Sequence, residues 1–232
     1  LCAALEEVHR QGVIHKDINP SNLVWNGERR LLQLIDFGIA SELPAESHGI
    51  ANPRQLEGTL RYMAPEQTGR MNRRIDYRAD LYALGATFYE LLTGQAPFET
   101  NDEMELVHCH IARSPDWSHP ALAALPGQLL AIIQRLLEKN ADQRYQSLPG
   151  LHGDLAACRM AKPAPARKLS GHNGRFLLPQ TLHGREDAIA ALLAAFERSA
   201  AGRCEMLLVA GHSGIGKSAV VNEVQKPIIA RR

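Results

Sequence analysis

Apolar residues recur at Leu1, Ala4, Leu5 and Val8, the spacing of one helical face, and Gly12 stands where that helix would end. Leu23-Val24-Trp25 and Leu31-Leu32-Gln33-Leu34-Ile35 flank Asn26-Gly27, which predicts a hairpin with Asp36 at the tip of its second strand. A long apolar helix opens at Asp80, with Leu81, Leu84, Phe88 and Leu91 along one stripe. Burying four such side chains, at about 1.5 to 3 kcal/mol each, makes this helix the expected pillar of a core. Thr93-Gly94 and Pro97 end it. Another helical stripe runs through Leu129, Ile132, Ile133, Leu136 and Leu137 and stops near Asn140. Helices with one short hairpin thus account for the first part of the chain.

Past Leu155 the pattern changes. Lys162-Pro163-Ala164-Pro165-Ala166-Arg167-Lys168 and Ser170-Gly171-His172-Asn173-Gly174 are Pro-rich, then Gly-rich and polar, and read as an extended linker. Order returns at Gly184-Arg185-Glu186 with a helix through Ile189, Leu192, Leu193 and Phe196. Met206-Leu207-Leu208-Val209-Ala210 is expected to be a short buried strand running into Gly211. The expected division is a first domain over 1–160, a linker over 161–178 and the start of a second domain over 179–232.

Composition changes this picture little. The chain has 232 residues, 45% hydrophobic and 22% charged, as a globular protein has. A formal net charge of +1 argues against bulk electrostatic binding to nucleic acid or an anionic membrane, and no apolar run is long enough to span a bilayer. Cys2, Cys109, Cys158 and Cys204 lie far apart with no C-x-x-C pair, which suits free thiols in a reducing cytoplasm. His108-Cys109-His110 is not expected to hold a metal, because neighbours on a helix point to different sides and no second cluster completes a shell.

The polar positions carry the chemistry. His15-Lys16-Asp17-Ile18-Asn19-Pro20-Ser21-Asn22, Asp36-Phe37-Gly38 and Ala64-Pro65-Glu66 follow in order at close spacing. Together they resemble the protein kinase signature H-R-D-x-x-x-x-N, D-F-G, A-P-E. The resemblance covers about the first two thirds of the chain and implies an α+β fold, the mainly helical C-terminal lobe of a kinase. It implies that Asp17 accepts the proton of a substrate hydroxyl, that Asn22 and Asp36 hold Mg²⁺ against the phosphates of ATP, and that Thr59 hydrogen-bonds Asp17. Glu66 and Arg144 resemble the family's buried ion pair, and Asp80 resembles the carboxylate that accepts backbone N–H bonds from the catalytic loop. Two positions depart from the pattern. Lys16 stands where the family usually has arginine, so a forked grip on a loop phosphate is missing; neutral Asn19 stands where a lysine usually faces the transferred phosphate.

Gly211 to Ser218 fits G-x-x-x-x-G-K-[ST]. Gly211, Gly214 and Gly216 would let backbone N–H groups close on a phosphate, Lys217 would reach the β and γ phosphates, and Ser218 would ligate Mg²⁺. A strand, this loop and a helix through Ala219, Val220, Val221 and Val224 form the start of an α/β P-loop NTPase domain. Kinase lobe, linker and P-loop together look like large bacterial signalling proteins, in which a serine/threonine-kinase-like domain precedes an AAA-like ATPase and sensory and histidine-kinase modules follow.

The leading reading is therefore an ATP-dependent serine/threonine kinase fused to a nucleotide-binding module, acting on protein hydroxyls in the cytoplasm. No Gly-rich loop or strand lysine precedes Leu1, so the segment by itself is expected to be inactive. The alternatives are a pseudokinase scaffold within a sensor histidine kinase, which loss of the cation at Asn19 would favour, and a signalling ATPase whose output is nucleotide-driven assembly.

Overall fold

The computed structural model describes residues 1–42, 59–71, 73–160 and 184–212, with 217, 220 and 221. The chain opens with helix α1 (Cys2–Arg10), and Gly12, at φ 76°, turns it into strand β1 (Val13–Ile14). Strands β2 (Leu23–Asn26) and β3 (Leu31–Leu34) form an antiparallel hairpin. Strand β4 (Ser41–Glu42) returns to pair with β1, setting Ile14 opposite Ser41. Helices α2 (Arg78–Thr93), α3 (Glu103–Ala112), α4 (Pro120–Ala123), α5 (Gly127–Leu136), α6 (Leu148–Met160) and α7 (Glu186–Ala200) follow among the described residues.

Helix α2 is the pillar. Every residue from Arg78 to Thr87 is buried, so it is enclosed all round rather than along one stripe, as a helix through the middle of a core must be. Leu5 of α1, Ile132, Ile133 and Leu136 of α5, and Leu148 and Leu151 of α6 pack in the same cluster. Gly85 marks the closest approach of α2 and α5: a Cβ there would stand 2.7 Å from Leu136 Cβ. The helix ends at Gly94, left-handed at φ 77°, whose N–H donates to Glu90 O.

Four expectations are corrected. Leu91 is 62% exposed, and Tyr89 takes the buried place near the helix end. The hairpin does not turn at Asn26-Gly27: Asn26 pairs with Leu31, the turn spans 27–30, and Arg30 rather than Gly27 is left-handed. Asn26 Oδ1 accepts the Arg29 N–H at 3.0 Å, an Asx bond that favours the longer turn. The helical pattern continues beyond Leu155 to Met160. Residues 206–210 form no strand and are exposed, Met206 at 91%, because none of the described residues lies alongside to complete a hydrogen-bond ladder. The expected linker and the glycine loop at Ser213–Gly216 lie outside the described residues, as does Ser218.

Candidate active site

Asp80, wholly buried in the first turn of α2, organises the loop after β1. Its Oδ2 accepts the His15 N–H at 2.9 Å and its Oδ1 the Lys16 N–H at 2.7 Å. His9, from the last turn of α1, donates Nε2–H to Oδ2 at 2.7 Å. Three charge-assisted bonds hold a buried carboxylate that would otherwise be costly, and they hold Lys16 at φ 69°, a left-handed conformation rare outside glycine. His15 carries the arrangement onward: Asp17 N–H donates to Nδ1 at 3.3 Å, so the ring proton sits on Nε2 and points to Ile35 O at 3.2 Å. The same ring meets Phe37 edge-on at 4.6 Å.

These contacts orient Asp17. Its Oδ1 accepts the Thr59 N–H at 2.8 Å and its Oδ2 the Asn22 Nδ2–H at 3.0 Å. Asn22 also donates Nδ2–H to Asp17 O at 2.8 Å, leaving its carbonyl oxygen as the end that could meet a metal. Ile35 N–H donates to Asn22 O at 3.0 Å, which ties the residue before Asp36 to Asn22. Asp36 is exposed and left-handed at φ 63°, with Oδ1 accepting the Gly38 N–H. Asp17 and Asn22 are thus joined side chain to side chain, and Asp36 follows a residue whose backbone is bonded to Asn22; the side-chain oxygens of the three are of the hard type that Mg²⁺ takes.

Thr59 does contact Asp17, but by its backbone N–H. Its hydroxyl instead accepts a long 3.4 Å bond from Asn19 Nδ2. Asn19 is 3% exposed, and its amide is engaged within the loop. Its Oδ1 accepts the Ser21 and Asn22 N–H groups at 2.9 and 3.2 Å, capping the 3-10 turn Pro20–Asn22, and its Nδ2 donates to Asp17 O at 3.1 Å. Asparagine is a better residue than lysine for that work. Glu66, in the 3-10 helix Pro65–Thr68, receives both arms of Arg144 at 2.6 and 2.9 Å.

A family model for the protein kinase domain matches residues 1–153. The chain belongs to the protein kinase family. A model for an AAA ATPase domain matches residues 181–231 of the same chain. The kinase segment is similar to the serine/threonine-protein kinase PknB of Mycobacterium tuberculosis, at 30% identity over 168 residues, 72% of this chain and 26% of that protein. It is also similar to a probable serine/threonine-protein kinase of Streptomyces coelicolor, SCO3848, at 32% over 170 residues, 72% of this chain and 24% of that protein. Hybrid signal transduction histidine kinase G of Dictyostelium discoideum is 31% identical over 194 residues, 72% of this chain and 6% of that protein. The chain thus spans at most 26% of these three relatives.

Between α2 and α3 lies a second polar group that the sequence did not announce. His110 of α3, 1% exposed, shares a 3.0 Å hydrogen bond with Tyr82 OH through Nδ1. Burial, then the charge of Lys139, push its pKa down to about 3, against smaller upward pulls from the backbone of Leu60 and Arg61. Lys139 donates to Cys109 O at 3.1 Å and stands 4.5 Å from the Phe98 ring centroid. Burial and the nearby Arg144 lower its pKa to about 7. No periodicity marks a residue as buried beside a cation, so this cluster is legible only in the fold.

Of the residues expected at the second nucleotide site, Gly211 and Lys217 are described, while Gly214, Gly216 and Ser218 lie outside the described residues. Lys217 Nζ donates to Gly211 O and His212 O, each at 2.8 Å. Among the described residues no helix is long and apolar enough to cross a membrane.

Proposed function

We propose that this chain carries the catalytic lobe of an ATP-dependent serine/threonine protein kinase, dividing at 1–160, 161–178 and 179–232 into kinase lobe, linker and the start of an ATP-binding AAA-like module. The observation that carries the reading is the fixed carboxylate of Asp17, with one oxygen bonded to Thr59 N–H and the other to Asn22 Nδ2. Each oxygen keeps a further lone pair, so the group can still align a serine or threonine hydroxyl and take its proton. Asn22 Oδ1 and the Asp36 carboxylate would hold Mg²⁺, which neutralises charge on the phosphates of ATP when bound. Phosphoryl transfer needs mainly such positioning, and the bonds from the neutral Asn19 side chain to the backbone of Asp17, Ser21 and Asn22 support this reading.

In the second module, Lys217, Gly211, Gly214, Gly216 and Ser218 would receive the phosphates and Mg²⁺ of another ATP. Sensory and histidine-kinase modules following in the parent protein, a cytoplasmic setting and protein substrates bearing Ser or Thr complete the proposal; the name of the Dictyostelium relative supports its two-component part. The test is Asp17→Asn in the full-length protein. Turnover should fall by at least about a hundredfold with ATP affinity within about threefold. Equal loss of ATP affinity would point to a structural role and favour the scaffold reading.

A further inference from the structure

Gln67 spans the two segments of the site with the two ends of one amide. Its Oε1 accepts the Ala64 N–H at 3.0 Å, and its Nε2 donates to Lys16 O at 2.9 Å. The first bond caps the 3-10 helix Pro65–Thr68 from its third position. The second reaches across 51 positions of sequence to the residue before Asp17. The amide has only one orientation, because Ala64 N–H can only donate and Lys16 C=O can only accept.

Lys16 is where this matters. A non-glycine residue at φ 69° is costly by about 1 to 2 kcal/mol and persists only where its surroundings over-determine it. Asp80 fixes the N–H of Lys16 at 2.7 Å, and Gln67 fixes the C=O. The Lys16 carbonyl belongs to the peptide group that bears the Asp17 N–H, so the tilt of that plane sets where the Asp17 side chain points. Gln67 also stands next to Glu66, whose bidentate bond to Arg144 anchors the segment. The bridge is made of neutral groups and needs no phosphate.

We propose that Gln67 is a positioning residue for phosphoryl transfer: it locks the Lys16–Asp17 peptide plane from the segment that begins at Ala64, and so couples the placement of that segment to the aim of Asp17. The inference rests on the reading of Asp17 as the proton acceptor. A merely structural Gln67 and a positioning Gln67 make opposite predictions for two substitutions. Gln67→Glu keeps an oxygen for the Ala64 N–H but sets a second oxygen against Lys16 O, so the cap survives and the bridge becomes repulsive. Gln67→Met fills the same length, loses both bonds and introduces no repulsion.

In the full-length protein, steady-state kinetics with ATP and a serine-containing peptide should rank kcat as wild type above Met above Glu. Glu should fall at least about tenfold, with KM for ATP within about twofold, while thermal stability ranks Glu above Met. A kcat order that follows the stability order, or Gln67→Glu turning over within about twofold of wild type, overturns the proposal. Should Gln67→Glu fail to fold, the Met variant decides alone: a loss of at least about threefold in kcat at unchanged KM for ATP supports the bridge, and no loss overturns it. Asp17→Asn, measured alongside, separates the two readings. Turnover retained there overturns the role of Asp17 and this inference with it, whereas turnover abolished there but intact in Gln67→Glu overturns this inference alone.

Discussion

Arg144 and Glu66, 78 positions apart, meet through two parallel hydrogen bonds of 2.6 and 2.9 Å with both side chains almost wholly buried. Arg144 also donates to the carbonyls of Arg78, Glu138 and Lys139, so every arm of the guanidinium is used. Removing the carboxylate strands a buried cation. Glu66→Ala should lower unfolding free energy by about 3 to 5 kcal/mol in urea titrations, and replacing both partners with apolar residues should recover a large part of it. A Glu66→Ala loss below about 1 kcal/mol would show that the pair contributes no more than a surface bridge.

Gly85 is fixed by packing. A Cβ there would stand 2.7 Å from Leu136 Cβ and 3.2 Å from Leu137 Cγ, closer than α2 and α5 can tolerate at their present separation. Helix propensity alone favours alanine by about 1 kcal/mol, so the two effects oppose. Overpacking should win: Gly85→Ala is expected to destabilise by about 1 to 3 kcal/mol, read from thermal or urea unfolding. Stabilisation by the substitution would show that α5 can move away freely.

His110 predicts acid sensitivity. Unfolded, it takes up a proton near pH 6.5; folded, it stays neutral down to about 3. Between these values the unfolded state binds more protons, so stability falls as pH falls, by about 1.4 kcal/mol per unit. Urea titrations at pH 7, 6 and 5 should show this slope, and His110→Gln should flatten it. Lys139 acts in a separate window: its folded pKa of about 7 lies below its ordinary 10.5, so its contribution to stability rises with pH between the two. An unchanged slope in His110→Gln would assign the acid sensitivity to another group.

Loop phosphorylation should not be required for turnover. Ser41 sits in β4 opposite Ile14, and Ser47 lies outside the described residues. Lys16 offers a point charge rather than a fork, and the segment 59–67 is already joined to the catalytic loop by Thr59, Asn19 and Gln67. Ser41→Ala with Ser47→Ala should leave turnover of the full-length protein within about threefold. A hundredfold loss, about 2.7 kcal/mol, with the fold intact would reverse this.

Lys217→Ala should weaken ATP binding at the second module while leaving phosphotransfer by the kinase segment within about threefold, because the two lie on either side of a Pro- and Gly-rich stretch. Nucleotide binding and peptide phosphorylation, measured on the same full-length variant, check it. Loss of both would show that the modules are coupled.

The sequence by itself determined the parts whose signal is local. Residue order at 15–22, 36–38 and 64–66 carried the family, the apolar spacing after Asp80 carried α2, and Gly94 carried its end, because each depends on chain geometry within a few residues. Where local signals failed, a distant partner decided. Leu91 fits the apolar spacing yet faces out, since burial depends on which helices pack nearby; Asn26-Gly27 signals a tight turn, yet the Leu23–Leu34 register demands a longer one. Residues 206–210 have strand composition but no neighbour among the described residues to pair with. Only tertiary structure could show that Asn19 supports the loop and that Thr59 reaches Asp17 through its backbone. The same holds for Asp80 and Gln67, which clamp Lys16 from opposite sides. The roles of Thr59, Asp80 and Gln67 belong to pairs 42 to 64 positions apart, and a hydrogen bond between such partners is specified by the packing that brings them together.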